Sequence, residues 1–348
     1  MNRNHLHAYF IPENRLTEFV DRLVADRRQV WGPVAKKNTF VFAPLDSASQ
    51  LRLDYDITIL PPKKAMFPPK QDLLTFTPAG PQSAIHPTGQ ILFGVHFYDI
   101  RAIDHLDQLF EETNPDENYL ANRRATTIVG SSVQRISARG FWGSPGMDKA
   151  PKGQDAFLTR IKGGYVFETF TTKGEALVSY ADAKPASEAQ LREAAEVNRK
   201  AIEECREKLP AGVDTLAERV RAAFGRDELW DELAHDCFSC GTCNMVCPTC
   251  YCFDVQDRWN LDQESGARCR SWDGCLLQDF SQVTLGAGGA ENFREKRGQR
   301  FRHRVMRKMT YLNTKLGAPA CVGCGRCSTG CVPDIADPVR ITTRIMEA

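Results

Sequence analysis

Cysteine is concentrated in the last third of this chain. Twelve of the 13 cysteines lie between Cys237 and Cys331, and only Cys205 lies outside that stretch. Eight of the twelve form two runs with the same Cys-x2-Cys-x2-Cys-x3-Cys spacing. The first run comprises Cys237, Cys240, Cys243 and Cys247, and the second comprises Cys321, Cys324, Cys327 and Cys331. Thiolates are ligands for soft metal centres, so two such runs predict metal binding.

The spacing predicts two [4Fe–4S] clusters. A cubane takes three thiolates from one tight loop and a fourth from elsewhere, and in two-cluster ferredoxins the fourth cysteine of each run ligates the other cluster. We therefore expect one cluster on Cys237, Cys240, Cys243 and Cys331, and the other on Cys321, Cys324, Cys327 and Cys247. Zinc, the main alternative, pairs Cys-x2-Cys units and has no use for the remaining cysteines of such a run.

Residues 248–320, between the two runs, hold two further features. One is a set of four more cysteines, Cys250, Cys252, Cys269 and Cys275. They could bind a third cluster, form a redox-active thiol site, or pack as small buried side chains. The other feature is a basic run, Arg294 to Lys308, with eight Arg or Lys residues. This run could form a solvated helix face, bind nucleic acid, or neutralise the negative charge of the clusters.

The elements around these motifs predict a mixed α/β protein. Residues 1–184 contain no cysteine and alternate helix-like with strand-like segments, which indicates an α/β docking domain without metal. Residues 185–235 predict a helical connector. Residues 236–348 predict a helical, ferredoxin-like domain with two clusters, and we expect the long segment between the cysteine runs to be helical as well.

Several local expectations follow from the same patterns. Apolar spacing predicts helices over 13–28 and 99–112, the second behind an Asp99 cap. Short apolar runs predict strands at 39–42, 91–95 and 126–129, and two strands flanking a turn at Thr172-Lys173-Gly174. Prolines on both sides of Lys63 to Phe67 predict an extended, exposed segment that is not helical.

The composition limits where the protein acts. The net charge is +1, which gives no general attraction to nucleic acid or to an acidic membrane. No apolar stretch is long enough to span a bilayer, and the first twelve residues do not resemble a signal peptide. We therefore expect a cytoplasmic protein. In that reducing compartment clustered cysteines bind metal more often than they form disulfides.

The cysteine region resembles a known family of iron–sulfur subunits. The residues that carry the resemblance are Cys247 to Val255, Arg268 to Cys275, Arg302-His303-Arg304 and Cys321 to Cys327, with matching segments at Pro61 to Lys64, Phe67 to Pro69, Phe93 to Val95 and Asp99 to Ile103. The family comprises the β subunit of soluble cytoplasmic [NiFe] hydrogenases of the sulfhydrogenase type and the corresponding iron–sulfur subunit of anaerobic sulfite reductases. Where that family has a Cys-Asp pair, this chain has Tyr98-Asp99.

The resemblance implies an electron-transfer role. In that family the subunit relays electrons between a flavoprotein subunit that binds FAD and NAD(P) and a hydrogenase or other catalytic or iron–sulfur subunit. The sequence has no glycine-rich nucleotide loop in a strand–helix context, so we expect a relay without catalytic residues of its own. The alternatives are a subunit of a sulfite, sulfur-compound or heterodisulfide reductase complex, or an enzyme that uses the four additional cysteines.

Overall fold

A computed structural model describes residues 5–26, 28–147, 150–286 and 288–348. Its strands are β1 (His7–Pro12), β2 (Gln29–Lys36), β3 (Thr39–Pro44), β4 (Lys70–Thr77), β5 (Gly80–Ser83), β6 (Gln90–His96), β7 (Thr126–Ser131), β8 (Ala156–Ile161), β9 (Gly164–Thr169), β10 (Lys184–Pro185), β11 (Phe253–Trp259), β12 (Gly266–Trp272), β13 (Gln282–Thr284) and β14 (Ala290–Asn292). Its α-helices are α1 (Leu16–Ala25), α2 (Phe97–Glu111), α3 (Glu117–Ala125), α4 (Thr172–Ala176), α5 (Glu188–Glu203), α6 (Val213–Ala222), α7 (Asp227–Leu233), α8 (Thr242–Met245), α9 (Arg297–Met309), α10 (Asn313–Leu316), α11 (Arg326–Thr329) and α12 (Pro338–Glu347).

The N-terminal half is built on an eight-stranded mixed sheet in the order β10-β1-β9-β8-β7-β6-β2-β3. Its centre, β2-β6-β7-β8, is parallel, and the outer pairs are antiparallel. Every residue of β6 and β7 is buried, as expected for parallel strands that are covered on both faces. The predicted strands at 39–42, 91–95 and 126–129 are confirmed, and so is the mixed α/β class.

A second, four-stranded sheet joins the two halves of the chain. Its order is β11-β12-β4-β5, so a hairpin from between the cysteine runs pairs with strands that precede residue 90. The expectation that this segment is helical throughout is therefore wrong. The hairpin residues alternate between the two sheet faces. Strand β12 pairs with β4, which is distant in sequence, so no local sequence pattern indicates the pairing. The predicted boundaries at 184 and 236 stay a prediction, and this sheet crosses them.

Three local expectations in the N-terminal half are wrong. The segment after Pro61 forms a short 3-10 helix, Pro62–Ala65, because proline is tolerated in a first helical turn, and Lys63 is buried, not exposed. Helix α2 begins at Phe97, and Asp99 is buried within it instead of capping it. Thr172-Lys173-Gly174 opens helix α4, since the Thr171 hydroxyl accepts a hydrogen bond from the Gly174 amide.

Helices dominate the rest of the chain. The expected helices within residues 185–235 are confirmed by α5, α6 and α7, while the role of this segment as a connector stays a prediction. Helix α9 packs against α6 and α7, and Trp230, Phe301 and Val305 are buried in their shared core. None of the described helices is both long and apolar enough to cross a membrane.

Candidate metal centre

Both cysteine runs adopt the same local structure. In each run a left-handed glycine, Gly241 (φ 72°) or Gly325 (φ 77°), precedes a four-residue helix that carries the third cysteine. Only glycine adopts this backbone conformation without strain. A β-carbon at Gly325 would also lie 2.3 Å from the carbonyl oxygen of Arg139. The second run therefore fits tightly against a loop of the N-terminal half.

A cavity in the protein interior brings together cysteines from both runs. Four thiols line it, from Cys247, Cys321, Cys324 and Cys327. Three belong to the second run, and Cys247 is the last cysteine of the first run. An all-thiol donor set fits an iron–sulfur cluster. This grouping is the one that the crossed assignment expects, while ligation itself stays a prediction.

The remaining four cysteines of the two runs differ in exposure. Cys237 and Cys243 are buried, Cys331 is half-buried and Cys240 is exposed. Cys331 packs in the same hydrophobic cluster as Cys237 and Cys243. A β-carbon at the preceding residue, Gly330, would lie 3.5 Å from a methyl group of Thr242 in α8. The end of the second run therefore lies against the loop of the first.

The thiols are not arranged around single ions. No group of three or more described His, Cys, Asp or Glu side chains converges as the ligands of one metal ion do. A single zinc ion would draw its sulfurs to within about 2.3 Å of one point. A cubane binds each thiolate through a different iron atom, so its ligands stay further apart.

Three positively charged side chains of helix α9 lie beside the cysteine loops. Arg300, Arg304 and Lys308 recur every fourth residue and are at most 8% exposed. The Arg304 guanidinium donates to the carbonyl of Cys243 (3.2 Å), and Lys308 Nζ donates to the Thr249 hydroxyl (2.8 Å). Arg300 donates to the Ser239 hydroxyl (3.1 Å). This face is therefore not solvated, and its charges lie beside the cysteines, where the neutralising interpretation requires them.

A further buried cation comes from the N-terminal half. Lys63 is 2% exposed, donates to the carbonyl of Cys250 and lies 4.5 Å from the centre of the Trp272 ring. Neither Lys63, Arg304 nor Lys308 forms a salt bridge with any carboxylate in the described part of the chain. Buried charges without counterions are costly, so this region requires an anionic group.

The pKa shifts agree with a site completed by metal. Burial raises the pKa of the Cys243 and Cys324 thiols to about 12, although Arg304 and Arg326 respectively oppose the shift. Burial also raises the pKa of Cys321. Burial lowers the pKa of Lys63 to about 8. Cluster binding must therefore displace the protons of these thiols, and the charge that it brings favours protonated Lys63.

An ion pair that sequence reasoning missed anchors the second run. Arg326, between Cys324 and Cys327, donates both terminal nitrogens to the Asp99 carboxylate at 2.6 and 2.7 Å. Its Nε donates to the carbonyl of Thr58 (2.8 Å). Both side chains of the pair are 1% exposed. Asp99 appeared in the sequence as a helix cap and in a segment matching the family, and neither signal indicated an ion pair with Arg326.

The four additional cysteines divide into a group of three and one outlier. Cys250, Cys252 and Cys275 line one pocket. Asn244 Nδ2 lies 3.7 Å from Cys250 Sγ and 3.4 Å from Cys275 Sγ. Cys269 lies apart on β12, where its sulfur is 3.5 Å from the carbonyl oxygen of Gln256.

The repeated loops, the shared thiol cavity and the surrounding cations define an iron–sulfur protein. The family model for a 4Fe-4S dicluster domain matches residues 236–335. The chain is also 33% identical over 347 residues to sulfhydrogenase 2 subunit beta of Pyrococcus furiosus, and the match covers 98% of each chain. It belongs to the family of sulfhydrogenase β subunits and is an iron–sulfur electron-transfer subunit that carries [4Fe–4S] clusters. No solved structure matches it significantly.

Proposed function

We propose that this chain relays single electrons through two [4Fe–4S] clusters with crossed ligands. One cluster is held by Cys237, Cys240, Cys243 and Cys331, and the other is held by Cys321, Cys324, Cys327 and Cys247. One end of the relay is a flavoprotein subunit that binds FAD and NAD(P), and the other is a hydrogenase or further iron–sulfur subunit. The observation that carries the proposal is the cavity in which Cys247 meets three cysteines of the other run. Because each run supplies a ligand to the other's cluster, the two clusters are held side by side.

The exposure of Cys240 supports an accessible end of the relay at the first cluster. Cys240 is exposed, and its neighbour Phe238 is 66% exposed, so the first cluster lies within reach of a docked partner. Cys324 packs in the core of the N-terminal half, and Cys327 packs in the helical core that contains Trp230 and Phe301. A relay needs such an accessible end, because electrons must pass between proteins whose cofactors do not touch.

A flavoprotein partner follows from electron counting. A nicotinamide delivers two electrons together as hydride, whereas a [4Fe–4S] cluster accepts one at a time. Flavin is the cofactor that commonly divides such a pair. The relative from Pyrococcus furiosus is a sulfhydrogenase subunit, which supports a multi-subunit hydrogenase as the assembly. We place that assembly in the cytoplasm.

The N-terminal half has a docking role in this proposal. We divide the chain into an α/β docking domain without metal at 1–184, a helical connector at 185–235 and the cluster domain at 236–348. The sheet shared by β4 and β12 supports a rigid attachment of the docking domain to the cluster domain. A partner bound to the docking domain would thus be held at a constant distance from the clusters.

Anaerobic assays of the isolated chain test the relay. The cluster-loaded chain should bleach with a strong one-electron reductant, yet show no turnover with NADH, NADPH, hydrogen or sulfite. Addition of the flavoprotein that co-purifies with it should make NAD(P)H a reductant of the clusters. Nicotinamide oxidation by the isolated chain, with no flavoprotein present, would overturn the proposal.

A further inference from the structure

The pocket lined by Cys250, Cys252 and Cys275 has a fourth possible metal ligand. His303, which lies next to Arg304 on α9, lines the same pocket. Cys250 and Cys252 come from one loop, Cys275 from the loop after β12, and His303 from a helix. Three separate segments of chain therefore bring three thiols and an imidazole to one pocket.

Asn244 contacts two of these sulfurs and therefore limits the distance between them. Its amide nitrogen lies within hydrogen-bonding reach of both Cys250 and Cys275, so the two sulfurs can be no further apart than those two contacts together. Asn244 is 1% exposed, and its amide oxygen accepts from the amide of Leu276 at 3.4 Å. Gly274 allows this approach, since a β-carbon there would lie 2.7 Å from Asn244 Cβ.

The charge around the pocket requires an anion. Arg304, Arg307 and Lys308 also line it, and Lys63 donates to the carbonyl of Cys250. Arg304 is 3% exposed, and its Nε has no hydrogen-bond partner in the described residues. Arg304 and Lys308 line the cavity of the second run as well, and the thiols of Cys247 and Cys250 are hydrogen-bonded to each other, so the two thiol-rich pockets adjoin at these residues. An anionic cluster on each side would supply the missing counter-charge.

We propose that Cys250, Cys252, Cys275 and His303 hold a third iron–sulfur cluster of the cubane type. The four side chains do not gather around one point, and no described group of three or more such side chains does. A cubane instead takes one ligand at each of four irons, and imidazole is an accepted ligand of iron–sulfur centres. This cluster goes beyond the two-cluster relay and does not depend on it.

Iron and acid-labile sulfide analysis of the anaerobically purified full chain tests this site. We expect about twelve irons per chain, four for each of three cubanes. Cys252→Ala and Cys275→Ala should each lower the count to about eight. Cys269→Ala is the matched control, because Cys269 lies outside the pocket, and it should leave about twelve.

A wild-type count of about eight overturns the third cluster while leaving the relay intact, and it does so even if the variants fail to fold. A count of about twelve that neither Cys252→Ala nor Cys275→Ala changes also overturns it.

Histidine ligation has its own readout. The reduced protein labelled with ¹⁵N-histidine should show a strong ¹⁵N hyperfine coupling by pulsed electron paramagnetic resonance, and His303→Ala should abolish it. A wild-type spectrum without that coupling overturns the assignment of His303.

Discussion

Arg326 and Asp99 form a bidentate ion pair across 227 positions of sequence, with both side chains shielded from water. Arg326 lies inside the second cysteine run, and Asp99 lies in the first turn of α2. The pair therefore attaches the loop around the buried cluster site to the main sheet domain. Its energetics can be tested separately from electron transfer.

Asp99→Asn should destabilise the cluster-loaded chain by about 3–5 kcal/mol, because it leaves Arg326 buried without a counter-charge. Urea unfolding followed by circular dichroism under anaerobic conditions measures the loss. Glu232→Gln is the matched control, since it breaks an exposed pair with Arg344 and should cost at most about 1 kcal/mol. Equal midpoints for the two variants would show that the Arg326 pair does not stabilise the fold.

Crossed ligation predicts that alanine variants fall into two spectroscopic groups. Cys247→Ala should lose the same cluster signal as Cys324→Ala, although Cys247 belongs to the other run. Cys331→Ala should lose the signal that Cys240→Ala loses. Each variant should lose about four irons per chain. Electron paramagnetic resonance of the reduced proteins distinguishes the groups, and Cys247→Ala grouping with Cys240→Ala would contradict the crossed arrangement.

The buried cations of α9 should raise the reduction potential of the clusters. Arg304→Gln removes a positive charge that favours the more negative, reduced state, so the potential should fall. A unit charge roughly 10 Å away, in an effective dielectric of about 20, corresponds to roughly 70 mV. Arg302→Gln on the same helix is the control, because Arg302 instead contacts Phe224 and Asp227. Equal shifts in a redox titration would indicate a general charge effect.

Removal of the clusters should loosen α9 before it loosens the main sheet. Without the cluster charge, Arg304, Lys308 and Lys63 remain buried and unpaired by carboxylates in the described residues. Hydrogen exchange after anaerobic chelation should show lost protection in α9 and in β12. Strands β6 and β7 have no such dependence and should keep theirs. Uniform loss across all of these elements would argue that the chain unfolds as one unit.

The sequence by itself determined the chemistry of the site. Eight cysteines at a repeated spacing specify cluster loops, because three ligands of a cubane come from adjacent positions and leave a local pattern. The helices of the connector followed from composition and the buried strands of the main sheet from short apolar runs, and both are local signals. Even the neutralising role of the basic run was among the interpretations that its composition allowed.

Only the tertiary structure decided which groups surround the cysteines. Lys63 and Asp99 reach the cluster region from the N-terminal half, and their pattern in the chain predicted an exposed loop and a helix cap. The hairpin of β11 and β12 pairs with β4, a partner about 200 residues away in sequence. The same folding brings Cys250, Cys252 and Cys275 together and leaves Cys269 outside. A local pattern cannot encode such contacts, because long-range pairing and the burial of charge depend on how the whole chain packs.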